Sequence, residues 1–150
     1  MMLTLSATPE EVMRAVDALL EFGRRHDLDP KALYGLSLAL EECGSNIVNH
    51  ALARDPARTF TVTFERKGSE VIVELRDRGP EFDPTKAPSA EPEAGDDRPP
   101  GGWGVMLARR STDGMDYVRV GDENVLRLRR KFAAGTSGDA GTPGSGDSAP

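Results

Sequence analysis

The sequence predicts an α/β sandwich with helices on one face of a mixed sheet. Two amphipathic stretches in the first third open on helix caps, and two later pairs of alternating segments are joined at glycine-containing turns. The resulting order is strand, helix, helix, two strands, an irregular interruption, helix, two strands. A length of 150 residues allows one ordinary domain, and 37% hydrophobic with 29% charged residues is the balance of a soluble globular chain.

Each element has a local cause. Met2 to Leu5 forms a candidate first strand. Thr8 as N-cap, Pro9 at the first helical position and Glu11 three residues after the cap form a capping box ahead of Val12, Val16, Leu19, Leu20 and Phe22, which predicts a helix to about Asp27. Asp29 and Pro30 repeat the cap-plus-proline pattern before Leu33, Leu36, Leu40, Ile47 and Ala51, so a long helix should run to about Leu52. Thr59 to Arg66 and Glu70 to Arg76 alternate around Lys67-Gly68-Ser69 and read as an antiparallel hairpin. Gly102 to about Thr112 is a short helix, and Met115 to Val120 with Asn124 to Phe132 form a second hairpin around Gly121-Asp122.

Two segments break these patterns. Asp83 to Pro100 carries five prolines and four acidic residues after Asp83, and a long loop inside a domain reads as a lid, a binding loop or a disordered insert. Ala133 to Pro150 contains only Ala, Gly, Thr, Ser, Asp and Pro, so it should be a disordered tail behind a domain spanning 1–132. A net charge of −6 gives no electrostatic basis for binding nucleic acid or an anionic membrane. The lone Cys43 excludes an internal disulfide and a cysteine-based zinc site, and with no apolar run near membrane length the chain is expected in the cytoplasm.

The chemistry concentrates on the second helix. At about 100° per residue, Glu42, Asn46 and Asn49 lie within roughly 60° of one another, opposite the apolar stripe. On its own, E-x-x-x-N also describes a solvated polar face. A carboxamide oxygen is nonetheless a hard neutral ligand suited to Mg²⁺ when phosphates bring the negative charge, and a carboxylate one turn away can take a proton from an attacking hydroxyl. Glu41 points about 100° away from Glu42 and forms no pair with it. His50, without a second histidine or cysteine nearby, reads as a packing or hydrogen-bonding residue.

Two glycine-rich segments add to this. Asp77-Arg78-Gly79-Pro80-Glu81-Phe82-Asp83 places an acid at a strand end; it is either an ordinary turn or a carboxylate that accepts a hydrogen bond from an exocyclic amine such as that of adenine, with Gly79 letting the base approach. Gly101-Gly102-Trp103-Gly104 opens the short helix, where free backbone N–H groups can cradle phosphate or the glycines can simply connect loop to helix. No Walker-type phosphate loop is present. Arg109-Arg110 suits a phosphate, an acidic partner or a solvated face.

Taken together, E-x-x-x-N at Glu42 to Asn46 with Ile47-Val48-Asn49-His50-Ala51, D-x-G-x-x-F-D-P at Asp77 to Pro84 and G-G-x-G at Gly101 to Gly104 resemble the GHKL ATP-binding superfamily. More narrowly the chain is similar to the bacterial anti-sigma factor serine/threonine kinases, over roughly Leu3 to Phe132. The endings Asp116-Tyr117-Val118-Arg119 and Asn124 to Arg129 fit that subgroup. Two positions depart from the family form: Glu81 stands where D-x-G-x-G has glycine, and bulky Trp103 lies between phosphate-loop glycines.

The resemblance implies a two-layer sandwich of the GHKL (Bergerat) fold with a mixed, mainly antiparallel sheet. It implies ATP and Mg²⁺ as cofactors, Asn46 as the metal ligand, Glu42 as the catalytic base, Asp77 as the adenine contact and Gly79 as its backbone partner. Gly101, Gly102 and Gly104 with the N–H groups of Val105 and Met106 would hold the phosphates, and residues 83–101 would be the ATP lid, with Arg98 as a phosphate contact. One domain leaves no room for the transducing domains of gyrase, mismatch-repair or chaperone relatives. No phospho-accepting histidine precedes the domain as in sensor kinases, since His26 ends the first helix. The expected function is therefore an ATP-binding anti-sigma regulatory factor, a kinase that phosphorylates an anti-sigma-factor antagonist of STAS type. A sigma factor is a second expected partner, and a homodimer the expected assembly. The alternatives are an ATP-dependent binding module without kinase activity and a regulator that has lost nucleotide binding.

Overall fold

The computed structural model describes residues 1–86 and 100–132. Their order is β1 (Met2–Ser6), α1 (Pro9–Arg25), α2 (Pro30–Asn46) continued by a π-helical turn (Ile47–Ala51), β2 (Thr59–Lys67), β3 (Glu70–Asp77), a 3₁₀ turn (Pro84–Lys86), α3 (Pro100–Arg110), β4 (Gly114–Val120) and β5 (Glu123–Lys131). The tail from Ala133 onward, Arg98 and most of the expected lid lie outside the described residues.

Both early helices start at the caps read from the sequence. The Thr8 hydroxyl accepts from Glu11 N–H at 3.3 Å, and the Asp29 carboxylate accepts from Ala32 N–H at 2.8 Å. The capping box closes differently from the simple form: the Glu11 carboxylate takes the Ser6 N–H at 3.3 Å, two residues before the cap. The Arg14 hydrogen bond, followed by that of Ser6, holds the Glu11 carboxyl below its ordinary value.

The sheet order is β1-β2-β3-β5-β4. The expected mixed sheet is antiparallel in all four described pairings. After β3 the chain passes through α3 and enters the far edge as β4, and a two-residue hairpin turns β5 back between them, antiparallel to both. Gly68 and Gly121 supply the positive φ that such short hairpins need, at +61° and +60°.

The register sorts the strands into two faces. On one, Leu3, Val62, Leu75, Leu126 and Tyr117 form a row across the strands, with Phe64, Val73, Leu128 and Met115 beside it. The helices cover this face, and Leu19, Leu36, Leu40, Val48 and Ala108 complete one core with it. The covered face ends in a polar row, Asp77 beside Asn124 beside Arg119. The opposite face carries Glu70, Glu74, Arg76, Arg127 and Arg129, joined by ion pairs such as Arg127–Glu74 at 2.8 Å.

The expected single helix from Pro30 to Leu52 is two pieces. Leu52 N–H bonds back to Ile47 O at 2.8 Å, a five-residue reach, and Arg54 N–H to Val48 O at 2.7 Å. Ala53 and Arg54 then take left-handed φ values of 54° and 56°, a conformation that costs a non-glycine residue about 1 to 2 kcal/mol and ends the helix at this point. No helix among the described residues is long and apolar enough to cross a membrane.

Candidate functional site

Where the polar row of the covered face meets the end of α2, the two layers part around a cavity of about 530 Å³. Cys43, Asn46, Ile47, His50 and Ala51 form one wall, the loop from Pro80 to Pro84 another, and Asp77, Asn124, Leu126 and Tyr117 the sheet side, with Val105 from α3. The wall on α2 is an i, i+3, i+4, i+7, i+8 stripe. It lies on the border between the apolar and polar faces, so Asn46 borders the cavity while Asn49 is exposed and neither it nor Glu42 lines the wall. The shared face expected for Glu42, Asn46 and Asn49 is thus divided, because the helix turns its border band toward the gap. Glu42 is half-buried beside the cavity, and burial, then the neighbouring Glu41 charge, raises its carboxyl above the ordinary value. Cys43 is a buried wall residue whose thiol is pushed up to about 12, by burial first and then by Glu42, which makes it unreactive.

The polar end of the cavity is built on Asp77, only 5% exposed. Its Oδ1 accepts from Gly79 N–H at 2.8 Å and from Asn124 Nδ2 at 3.0 Å. Among the described residues Oδ2 has no donor, although Asp77 lines the cavity. An acceptor so placed in a largely apolar cavity suits a flat base that offers an N–H. Gly79 is required here for space: a Cβ there would sit 2.7 Å from both Cβ and O of Ala51, so the loop and the π-helical turn meet only through a glycine.

Asn124, for which the motifs imply no role, organises the loop. Its amide nitrogen also donates to Pro80 O at 2.9 Å, and its oxygen accepts from Phe82 N–H at 3.2 Å, Tyr117 Oη at 2.5 Å and an Arg119 guanidinium nitrogen at 3.2 Å. The sequence signal was present: Asn124 alternates in phase with Leu126 and Leu128, so a carboxamide occupies a core-facing position.

The other expected residues are placed as follows. Gly101 and Gly102 lie in the first turn of α3, and Gly104 is its fifth residue. Because that helix starts at Pro100, Val105 and Met106 are its sixth and seventh residues, and their N–H groups belong to the i→i−4 ladder rather than to a free helix start. Both side chains are buried; Val105 lines the cavity and Met106 does not. Among the described residues no three His, Cys, Asp or Glu side chains cluster to hold a metal, so a cation beside Asn46 would draw its remaining oxygens from a ligand.

Comparison with known proteins agrees with this fold. The family model described as the histidine kinase-like ATPase domain matches residues 5–130. The chain is 30% identical over 127 residues to the serine/threonine-protein kinase BtrW of Bordetella bronchiseptica, covering 84% of this chain and 89% of that one. Among solved structures it resembles the RsbU and RsbW domains of Rv1364c from Mycobacterium tuberculosis, with a TM-score of 0.65 at 18% identity. That alignment covers 88% of this chain and 32% of the longer one, and the likeness is one of fold.

Proposed function

Because the chain belongs to the histidine kinase-like ATPase domain family, we propose that it is an ATP-binding anti-sigma regulatory factor. In this reading it acts in the cytoplasm as a homodimer and phosphorylates a serine or threonine of an anti-sigma-factor antagonist of STAS type, with a sigma factor as second partner. The observation that supports it most is the Asp77 carboxylate, with Oδ1 held by two protein donors and Oδ2 left without one among the described residues at the polar end of the cavity. That acceptor fits the exocyclic amine of adenine, and the apolar walls fit the ring.

The donor set fits Mg-ATP rather than a metal alone. Asn46 would give its carboxamide oxygen to the cation, and the first-turn amides of Gly101 and Gly102 would face the phosphates, with Gly104 keeping that turn open and Arg98 as an added phosphate contact. Bound there with Mg²⁺, ATP supplies the phosphoryl group. Glu42, beside Asn46 but off the apolar wall, would accept the proton of the partner's hydroxyl at its carboxylate. Its raised affinity for a proton suits that task. The resemblance to a named serine/threonine kinase supports a hydroxyl acceptor.

The test is phosphotransfer from γ-labelled ATP to purified STAS-domain antagonists, with calorimetry of Mg-ATP alongside. Transfer to a serine or threonine is the expected result. Binding without transfer would leave the ATP-dependent binding module, and no binding would leave the regulator without nucleotide.

A further inference from the structure

We infer that Asn124 is a positioning residue for nucleotide selection: it holds the Asp77 carboxylate and the loop behind it so that one carboxylate oxygen is reserved for the base. The inference rests on the nucleotide reading above. Asn124 is 6% exposed, and all of its hydrogen-bonding capacity is directed at this one feature. Its nitrogen has only acceptors around it, Asp77 Oδ1 and the carbonyls of Pro80 and, at 3.5 Å, Gly79. Its oxygen has only donors, from Phe82, Tyr117 and Arg119. The amide orientation is therefore fixed by chemistry on both sides.

Two consequences follow for Asp77. The donor from Asn124 and the N–H of Gly79 converge on the same oxygen, so the carboxylate cannot rotate to share them with Oδ2 without losing both. The loop carbonyls of Gly79 and Pro80 are tied to β5 by the same amide, and Arg119 adds a second hold on Gly79 O at 2.9 Å. Burial, then the charge of Glu81, raises the Tyr117 phenol above its ordinary value, which keeps it a donor to Asn124. A buried polar network satisfied in this way fixes one geometry.

Asn124→Asp tests this with almost no change in shape. It puts a second carboxyl oxygen against Asp77 Oδ1, with Tyr117 and Arg119 of β4, Glu81 and Asp83 of the loop, Cys43 of α2 and His50 of the π-helical turn as the other titratable or charged groups around the cavity. At about pH 8 the two carboxylates repel, and at about pH 5.5 one shared proton restores the hydrogen bond. The variant's Mg-ATP affinity, as a ratio to the wild type at each pH so that protonation of the nucleotide cancels, should be down about tenfold or more at the higher pH and within about threefold at the lower. The preference for ATP over GTP should collapse and return with it.

A second readout needs no nucleotide: at the higher pH the Gly79 amide should exchange with solvent about tenfold or more faster than in the wild type. A ratio that stays near one at both pH values, or a uniform loss with the ATP/GTP preference intact, overturns the inference. If the variant does not fold at the higher pH, Tyr117→Phe, which takes one donor from Asn124 and nothing from Asp77, carries the test. A drop of about threefold or more in ATP affinity supports the inference and an unchanged affinity overturns it. Should the wild type take up no Mg-ATP, the functional reading fails, and the Gly79 exchange alone decides whether Asn124 holds the loop.

Discussion

The two faces of the sheet carry polar residues on the same alternating pattern, but with opposite consequences. On the open face, Glu74 is shared by Arg76 and Arg127 at 2.9 and 2.8 Å, with the arginines well exposed. Burial pushes the Glu74 carboxyl up, yet the hydrogen bonds and charges of the two arginines together outweigh it and hold it below the usual range. Water is available to replace any of these partners, so each is worth little. On the covered face, the row Asp77, Asn124, Arg119 has no such reserve, because Asp77 and Asn124 are buried and each lost bond strands its partner. Polar groups on the first face keep the sheet wetted; those on the second define a site.

Substitutions on the two faces test this contrast. The largest effect is expected from Glu42→Gln, which should leave Mg-ATP binding nearly intact and lower phosphotransfer by about 100-fold or more, as for loss of a general base. Because burial raises the Glu42 carboxyl and the base must be ionised, the wild-type rate should fall with decreasing pH along a limb that lies above the ordinary carboxylate value of 4.5. A pH–rate profile checks both statements, and a variant as fast as the wild type would remove Glu42 from the mechanism.

Next comes Asp77→Asn. It keeps the shape but weakens a charge-assisted acceptor, by about 1.5 to 3 kcal/mol, so ATP affinity should fall roughly tenfold or more and the advantage over GTP should shrink. Competition calorimetry measures it, and an unchanged ATP/GTP ratio would reduce Asp77 to a turn cap.

How much of this was legible beforehand follows the range of the forces involved. The helix starts at Pro9 and Pro30, the hairpins and the E-x-x-x-N and D-x-G segments were readable because caps, turns and alternation act over a few residues. The π-helical turn is not, since Ile47 to Ala51 carry no local mark of it, and its last residue, Ala51, packs against Gly79, distant in sequence. Helical spacing groups Glu42 with Asn46 and Asn49, but only Asn46 of the three lines the cavity, because which edge of the helix meets it depends on how α2 lies on the sheet. The alternation of β5 marks Asn124 as core-facing, but not its role, because Asp77, Pro80 and Phe82 reach it only through the fold.

The same meeting of Ala51 and Gly79 supplies a third test. Gly79→Ala forces a methyl group to within 2.7 Å of Ala51, which should cost about 1 to 3 kcal/mol in urea unfolding as overpacking does, with a loss of ATP affinity because the loop must shift. A variant as stable as the wild type would mean that the turn yields freely.

The smallest effect belongs to the open face. Glu74→Gln should lower stability by about 1 kcal/mol or less and leave ATP affinity unchanged. The sign with pH is fixed by the depressed carboxyl: the contribution of Glu74 is present above its unfolded value near 4.5 and disappears as pH falls through the lower folded value. Wild type and variant should therefore converge in melting temperature in acid, and a gap that persists there would point to packing instead.

The order of strands also imposes an order in time. β5 sits between β3 and β4, although it is the last of the described strands to be synthesised. At about 5 to 20 residues per second, a nascent chain spends several seconds with β3 already made and its inner edge unpaired. During that interval Asp77 lacks Asn124, and the wall of the cavity has no Tyr117 or Leu126. The cavity therefore lacks these parts of its sheet side until the second hairpin closes the sheet. An unfinished chain exposes the edge of β3 that β5 later covers, a row of backbone groups open to pairing with another strand.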